Sequence, residues 1–249
     1  MGSGNQPGGG EDGSGTIAES TVTAVEIVLI RHGQPEWTKD GLNIVDPPLT
    51  ELGHEQAEMM ADALAQEEFD EVLVSPLQRA RQTAAPLYER LDRSETVDSW
   101  LEEIRDPSWH GTPREKAEHA YDELRSRPAH QRWDGLVGGE SIREFTERIH
   151  SGAAEFLRQR RIERLEHDLP IWTAGDYGKR IALVAHAGTN SVTIGHLLGL
   201  DPTPWEWDRF VIGHASISRV EALPLRDGWT FSLTSLSSSE HLPAARRSR

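Results

Sequence analysis

The chain contains no cysteine. That excludes a disulfide framework, a Cys-ligated zinc site, an iron–sulfur cluster and a thiol nucleophile. Lysine is nearly absent too: 23 of the 26 basic residues are arginine. No apolar run approaches the roughly 18 residues that a membrane-spanning helix needs. No basic-then-apolar leader opens the chain, so no signal peptide is expected and a cytoplasmic location is. Positive charge is short overall, 26 Lys+Arg against 41 Asp+Glu, for a net charge of −15. Such a field disfavours nucleic acid and anionic membrane as partners. It leaves room for a small anionic substrate held in a local basic pocket. Nothing in the sequence sets the oligomeric state, and a homodimer is compatible with it.

What is present is enough chain to bury a core: 249 residues suit one large α/β domain or two small ones. Residues 1–20 are Gly/Ser-rich, with seven glycines before Ile17, and read as a disordered tail. Residues 237–249 are polar and without pattern, and read as a second one. Between them, over 21–236, short apolar runs alternate with amphipathic stretches. Val25–Ile30, Val72–Val74 and Ile181–Ala185 have the β-branched, nearly unbroken apolar character of strands covered on both faces. Thr96–Trp100 is a further strand candidate, and 215–222 and 229–236 alternate as late or edge strands do. Thr50 and Ser141 are placed to cap helices. Other helices are expected after Val74 and over 189–198. This alternation predicts a three-layer α/β/α sandwich with a mostly parallel central sheet.

Ligands of such sheets bind beyond the carboxyl ends of the strands. There the sequence places Arg31-His32-Gly33, then Ser75-Pro76-Leu77-Gln78-Arg79-Ala80-Arg81-Gln82-Thr83, then Glu102-Glu103, then His186-Ala187-Gly188. One histidine after one strand is ordinarily structural. Two histidines, several arginines and a glutamate at successive strand ends are a site, and none of them has metal-ligand spacing. Glu102 and Glu103 are chemically equal at this point.

Arg31-His32-Gly33, Pro48-Leu49-Thr50-Glu51-Leu52-Gly53, the Ser75–Ala84 run, Gly138-Gly139-Glu140-Ser141 and Leu183–His186 with Gly188 occur in this order. Across residues 25–222 the pattern resembles the histidine phosphatase superfamily, the phosphoglycerate-mutase-like proteins. The resemblance implies a phosphomonoester hydrolase acting on a small phosphorylated substrate through a phosphohistidine on His32, with no cofactor and no metal. Arg31, Arg79 and His186 would hold the phosphate, as planar multi-donor forks suit its oxygens. The Ala187 backbone N–H, at a helix start, would add a donor. A carbonyl near His32, that of Gly33 being a candidate, would fix its tautomer. The family pattern Glu-x-x-x-Gly-x-Trp-Glu-Gly, counted back from Trp109 and Gly111, makes Glu103 the general acid. Gly33, Gln34, Thr38 and His214 are expected around the substrate, His214 standing where relatives often carry Asn. Arg81 reads as a surface residue, His196 as structural, and Trp205 and Trp207 as core or lid residues that could line a pocket. Residues 112–137 sit where the family builds its lid, and 163–179 read as a surface loop.

The sequence departs from the family at Thr38 in place of Asn, Pro107 in place of Gly, His110 in place of Glu and Ala187 in place of Gly. None of these removes a proposed catalytic group. A cofactor-dependent phosphoglycerate mutase is the alternative reading, but the segment Glu103–Gly111 does not match the mutase pattern, which has a basic segment after the Glu motif and Tyr-Gly where Pro-Ser stands here. A non-catalytic binding protein that kept the fold is the third.

Overall fold

The computed structural model describes Met1 and residues 25–165, 169–173 and 178–249. Apart from Met1, the N-terminal tail expected over 1–20 lies outside the described residues, as do parts of the 163–179 loop.

Five strands form one sheet: β1 Val25–Arg31, β4 Glu71–Val74, β5 Lys179–Ala185, β6 Ile217–Leu225 and β7 Gly228–Ser238, in the order β4-β5-β1-β6-β7. A two-stranded hairpin, β2 Thr38–Lys39 and β3 Leu42–Asn43, stands apart. β4, β5 and β1 run parallel, and β6 and β7 extend the edge antiparallel. The helices are α1 Glu51–Leu64, α2 Gln78–Arg90, α3 Arg114–Ser126, α4 Ile142–Arg158, α5 Ala187–Leu197 and the short α6 Glu206–Arg209.

Strand side chains alternate between the two faces, so the continuous apolar strands feed two cores. Ile27, Leu29, Ile181 and Leu183 pack with Phe145 and Ile149 of α4 and Val192 and Ile194 of α5. Val28, Ile30, Ala182 and Val184 pack with Met60, Ala61 and Leu64 of α1 and Ala84 and Leu87 of α2. Helices thus cover both faces of the sheet. Thr50 caps α1, its Oγ1 accepting from Gly53 N at 3.0 Å. Ser141 opens α4 in a reciprocal capping box with Glu144. No helix among the described residues is long and apolar enough to cross a membrane.

Two expectations fail. Thr96–Trp100 is not a strand: only an isolated parallel bridge joins Val97 to Val74, and Ser99–Leu101 is a 3₁₀ turn. Neighbouring Trp100 and Leu101 both enter the α4/α5 core. The two-residue period of a strand would send them to opposite sides. Residues 237–249 are not a disordered tail. β7 runs through Ser238, Leu242 is 1% exposed in the α1/α2 core, and Arg246 Nε pairs with Glu55 of α1 at 2.9 Å. One leucine in a polar stretch anchors the segment, a signal too sparse for periodicity to find.

Candidate active site

The parallel register builds the site. Pairing of Arg31 with Ala185 and of Val74 with Val184 brings the three strand ends level. His32 N donates to Ala185 O at 3.0 Å and Ser75 N to Val184 O at 3.0 Å. The His32 and His186 rings consequently lie 5.1 Å apart, centroid to centroid, both buried.

His32 has a determined tautomer. Its Nδ1 lies 2.7 Å from Gly33 O, which can only accept, so Nδ1 carries the proton. Arg79 Nε, which can only donate, lies 3.3 Å from His32 Nε2, so Nε2 keeps its lone pair. Burial, then the nearby charges of His186, Arg79 and Arg31, hold the His32 pKa well below its usual value, and the ring is neutral. Gly33 has no room for a side chain: a Cβ there would lie 2.5 Å from Gly53 O. Its N–H donates to Thr83 Oγ1 at 2.9 Å, and that hydroxyl donates to Arg79 O at 2.7 Å. The Thr83 side chain therefore ties the His32 loop to the turn of α2 that carries Arg79.

Arg79 is 4% exposed, with Trp37 5.0 Å from its guanidinium carbon and Asp46 3.7 Å from Nη1. Asp46 also accepts from Gln78 N at 2.8 Å, at the start of α2. Arg31 donates from Nη1 to Ile212 O at 2.6 Å, and its Nη2 lies 3.0 Å from His214 Nε2. Its buried Nε has no partner among the described residues, nor has His186 Nδ1. His186 Nε2 lies 2.7 Å from Ser75 Oγ. Burial lowers the His186 pKa well below its usual value and pushes that of Arg31 down to about 10.

Glu103 accepts from Gly188 N at 2.9 Å and from Ile104 N at 3.0 Å. Burial raises its pKa against these bonds and against the charges of Arg79 and Arg31. Glu102 turns elsewhere, to Arg105 at 2.7 Å. Arg148 of α4 fixes the loop by donating to Glu102 O at 3.0 Å and Glu103 O at 3.2 Å, while Glu140 braces Arg148 at 2.8 Å. The Gly138-Gly139-Glu140-Ser141 run thereby gains a physical account. A Cβ on Gly139 would lie 2.8 Å from Pro107 Cδ, so the chain can pass close beneath the Glu103 loop. Trp207 stacks on Phe145 at 5.6 Å and borders Gly188 beside Glu103. Tyr121 of α3 donates to Asp106 Oδ2 at 2.6 Å, and its charge environment includes both Glu103 and Arg79.

Other expected residues sit differently. Thr50 Oγ1 donates to Gln34 Oε1 at 3.0 Å, so the Gln34 side chain buttresses the start of α1. Thr38 is in β2, paired with Asn43, and makes no side-chain hydrogen bond among the described residues. Ala187 is the first residue of α5. His214 is 5% exposed, its ring 5.6 Å from that of His32, with burial and then Arg31 pushing its pKa down to about 3. Arg81 pairs with Glu95 on the surface. His196 packs against His150 and Trp172. Arg148, Asp46 and Tyr121 went unrecognised in the sequence, and Glu140 stood out only as part of the Gly-Gly-Glu-Ser run, because contacts between separated positions carry no local pattern. No group of three or more His, Cys, Asp or Glu able to hold a metal occurs among the described residues.

Against known proteins, a family model described as "Histidine phosphatase superfamily (branch 1)" matches residues 27–235. "Phosphoserine phosphatase 1" of Hydrogenobacter thermophilus is 30% identical over 55% of this chain and 65% of its own length, just under two thirds of that relative. The Salmonella paratyphi A protein named "Probable phosphoglycerate mutase GpmB" is 26% identical over 82% of this chain and 90% of its own. Among solved structures, a mycobacterial glucosyl-3-phosphoglycerate phosphatase with VO3 superposes with a TM-score of 0.65 at 25% identity, over 86% of this chain and 99% of that one. The match of the family model to nearly all of the sheet-bearing chain, together with these relatives, shows that the chain belongs to the histidine phosphatase superfamily, branch 1.

Proposed function

We propose that this enzyme hydrolyses phosphomonoesters in two displacements, with His32 as the nucleophile. The observation that carries this reading is the His32 ring, whose Nδ1 proton is held by Gly33 O and whose Nε2 lone pair faces the arginine side of the site. A phosphomonoester brings about two negative charges. Arg31 through its unpartnered Nε, Arg79 through its guanidinium and His186 through its open Nδ1 would hold them. Ser75 Oγ can donate to His186 Nε2 and so leave the proton on Nδ1, facing the substrate.

In the first displacement His32 Nε2 bonds to phosphorus and the P–O ester bond breaks. Glu103 gives its proton to the leaving oxygen. In the second, Glu103 as carboxylate takes a proton from water, the hydroxyl bonds to phosphorus, and the N–P bond breaks. The raised pKa of Glu103 suits the acid half of the cycle.

Hydrolysis, as opposed to mutase transfer, is favoured by the charge around residues 102–137. Arg105, Arg114, Arg125 and Arg127 are paired with Glu102, Glu118, Asp122 and Glu123, and Arg132 donates to Arg125 O. Asp46 and Asp106 lie on the Arg79 side. A second phosphate would have to compete with these carboxylates for the arginines, with Lys116 the other cation of the stretch. The reading implies a small phosphorylated compound of the cytoplasm as substrate, under a lid formed by 112–137. The test is phosphate release from a panel that includes phosphoserine, glucosyl-3-phosphoglycerate and 3-phosphoglycerate with and without its bisphosphate. Phosphate release is expected for at least one member, without exchange between 3- and 2-phosphoglycerate. Exchange outrunning release would establish the mutase instead.

Gly188 tests the placement of Glu103. A Cβ at Gly188 would collide with Glu103 Oε1 and come within 2.5 Å of Trp207 Cζ2. Gly188→Ala should displace the carboxyl group, and a misplacement of that order typically costs about 10²-fold in rate. Steady-state kcat on an alkyl phosphate checks it; an unchanged kcat would mean that Glu103 does not need this contact.

A further inference from the structure

The segment 244–249 reaches the phosphate site through one hydrogen-bond chain. Gln56 of α1 is fully buried. Its Oε1 accepts from Gln34 N at 2.8 Å, and its Nε2 donates to Arg246 O at 2.7 Å and to Ser248 Oγ at 3.0 Å. Ser248 O accepts from His214 N at 3.1 Å, and Ser248 Oγ lies 2.9 Å from His214 Nδ1. On the far side of that ring, His214 Nε2 lies 3.0 Å from Arg31 Nη2.

The protons along this chain can be assigned. A guanidinium only donates, so His214 Nε2 must accept from Arg31. The ring is neutral, so its one proton sits on Nδ1 and is donated to Ser248 Oγ. A hydroxyl can serve either tautomer, so the donor-only guanidinium of Arg31 sets it; Ser248 Oγ, accepting from Nδ1, holds the ring so that Nε2 meets Arg31. The opposite tautomer would turn an N–H toward the guanidinium and cost Arg31 one of its two anchors, the other being Ile212 O.

We propose that Ser248 is a positioning residue for phosphate binding: its hydroxyl holds the His214 ring in place, and that ring in turn aims the Arg31 fork. The proposal rests on the reading of Arg31 as a phosphate ligand. Leu242, buried in the α1/α2 core, and the Arg246–Glu55 pair bring Ser248 to this place.

The test compares Ser248→Ala and Ser248→Thr with the parent, in the full chain. In Ser248→Ala the Nδ1 proton of His214 loses its acceptor, so its ¹H resonance should shift upfield and exchange faster with water. Inorganic phosphate, titrated directly, should bind about tenfold more weakly, the scale of one hydrogen bond to a charged group. KM for a phosphomonoester should rise by a similar factor with kcat little changed, because Arg31 would hold the phosphate before and during reaction alike. Ser248→Thr, which keeps the hydroxyl, should restore both the resonance and the affinity. A merely structural role would lower kcat or stability without changing that resonance or the phosphate affinity. An unchanged Nδ1–H resonance, unchanged phosphate affinity, or no rescue by threonine overturns the proposal. A parent chain that releases no phosphate from any ester strikes at the functional reading, while the resonance and the phosphate titration still decide this one.

Discussion

His32→Ala is expected to abolish turnover while leaving a folded protein. The ring lies beyond the last residue of β1, and its neighbours are His186, His214 and Arg79, not the apolar cores on either side of the sheet. Its loss therefore leaves the packing of Leu29 and Ile30 in place. Chemically the loss is complete, because no other neutral base presents a lone pair held in this way by Gly33 O and Arg79 Nε. Removing a nucleophile elsewhere has cost on the order of 10⁶ in kcat, and a fall of at least about 10⁴ is expected here. Circular dichroism and a urea midpoint would establish that the variant folds. In the parent, a denaturing quench during turnover should trap phosphate that is stable to alkali and labile to acid, mapping to His32. Phosphate with the opposite lability, as on serine, would remove histidine from the mechanism. The pH dependence has a definite sign. The pKa of His32 is lowered, so its lone pair is lost only as pH falls well below the usual histidine range. The nucleophile should not limit the rate near neutrality.

How far the site could be read from the sequence depends on how local its causes are. β1, β4 and β5 were visible because a strand covered on both faces must be apolar throughout, and the residues that follow such strands are few enough to inspect. Thr50 and Ser141 were visible because capping is a matter of three residues. Gln34 shows the opposite case. It stands one residue beyond the Arg-His-Gly run, yet its side chain is claimed by Thr50, sixteen positions away. The stretch 96–100 looked like a strand because Val97 and Trp100 are strand-like residues. The need to bury Trp100 and Leu101 together decided otherwise. The segment 237–249 looked disordered because its one buried apolar group, Leu242, gives no period, and its hold on Gln56 and His214 runs through backbone carbonyls and the one hydroxyl of Ser248. The choice of Glu103 over Glu102 came from family spacing. In the structure the two carboxylates point apart, one to Gly188 N and one to Arg105, because Arg148 pins the carbonyls of both residues.

That divergence sets up the second large effect. Glu103→Gln keeps the shape of the side chain, and an amide oxygen can still accept from Gly188 N, but the amide can neither give nor take a proton. General acid catalysis contributes roughly 10²–10⁴ in rate, and the share needed depends on the leaving group. An alkoxide must be protonated as it departs, so turnover of an alkyl phosphate should fall by about that factor. Nitrophenolate leaves nearly unaided, so the first displacement on p-nitrophenyl phosphate should slow far less. The second displacement still lacks its base. The variant should therefore release a burst of nitrophenolate close to one equivalent and then stall as the phosphohistidine. Glu102→Gln, which breaks only a surface pair with Arg105, should leave both substrates nearly untouched. The pH profile follows from the raised pKa of Glu103: as pH climbs through that value the acid form disappears, and alkyl phosphate turnover should decline while burst formation from the aryl ester holds. A leaving-group-dependent loss in Glu102→Gln, with Glu103→Gln unaffected, would move the acid one residue back.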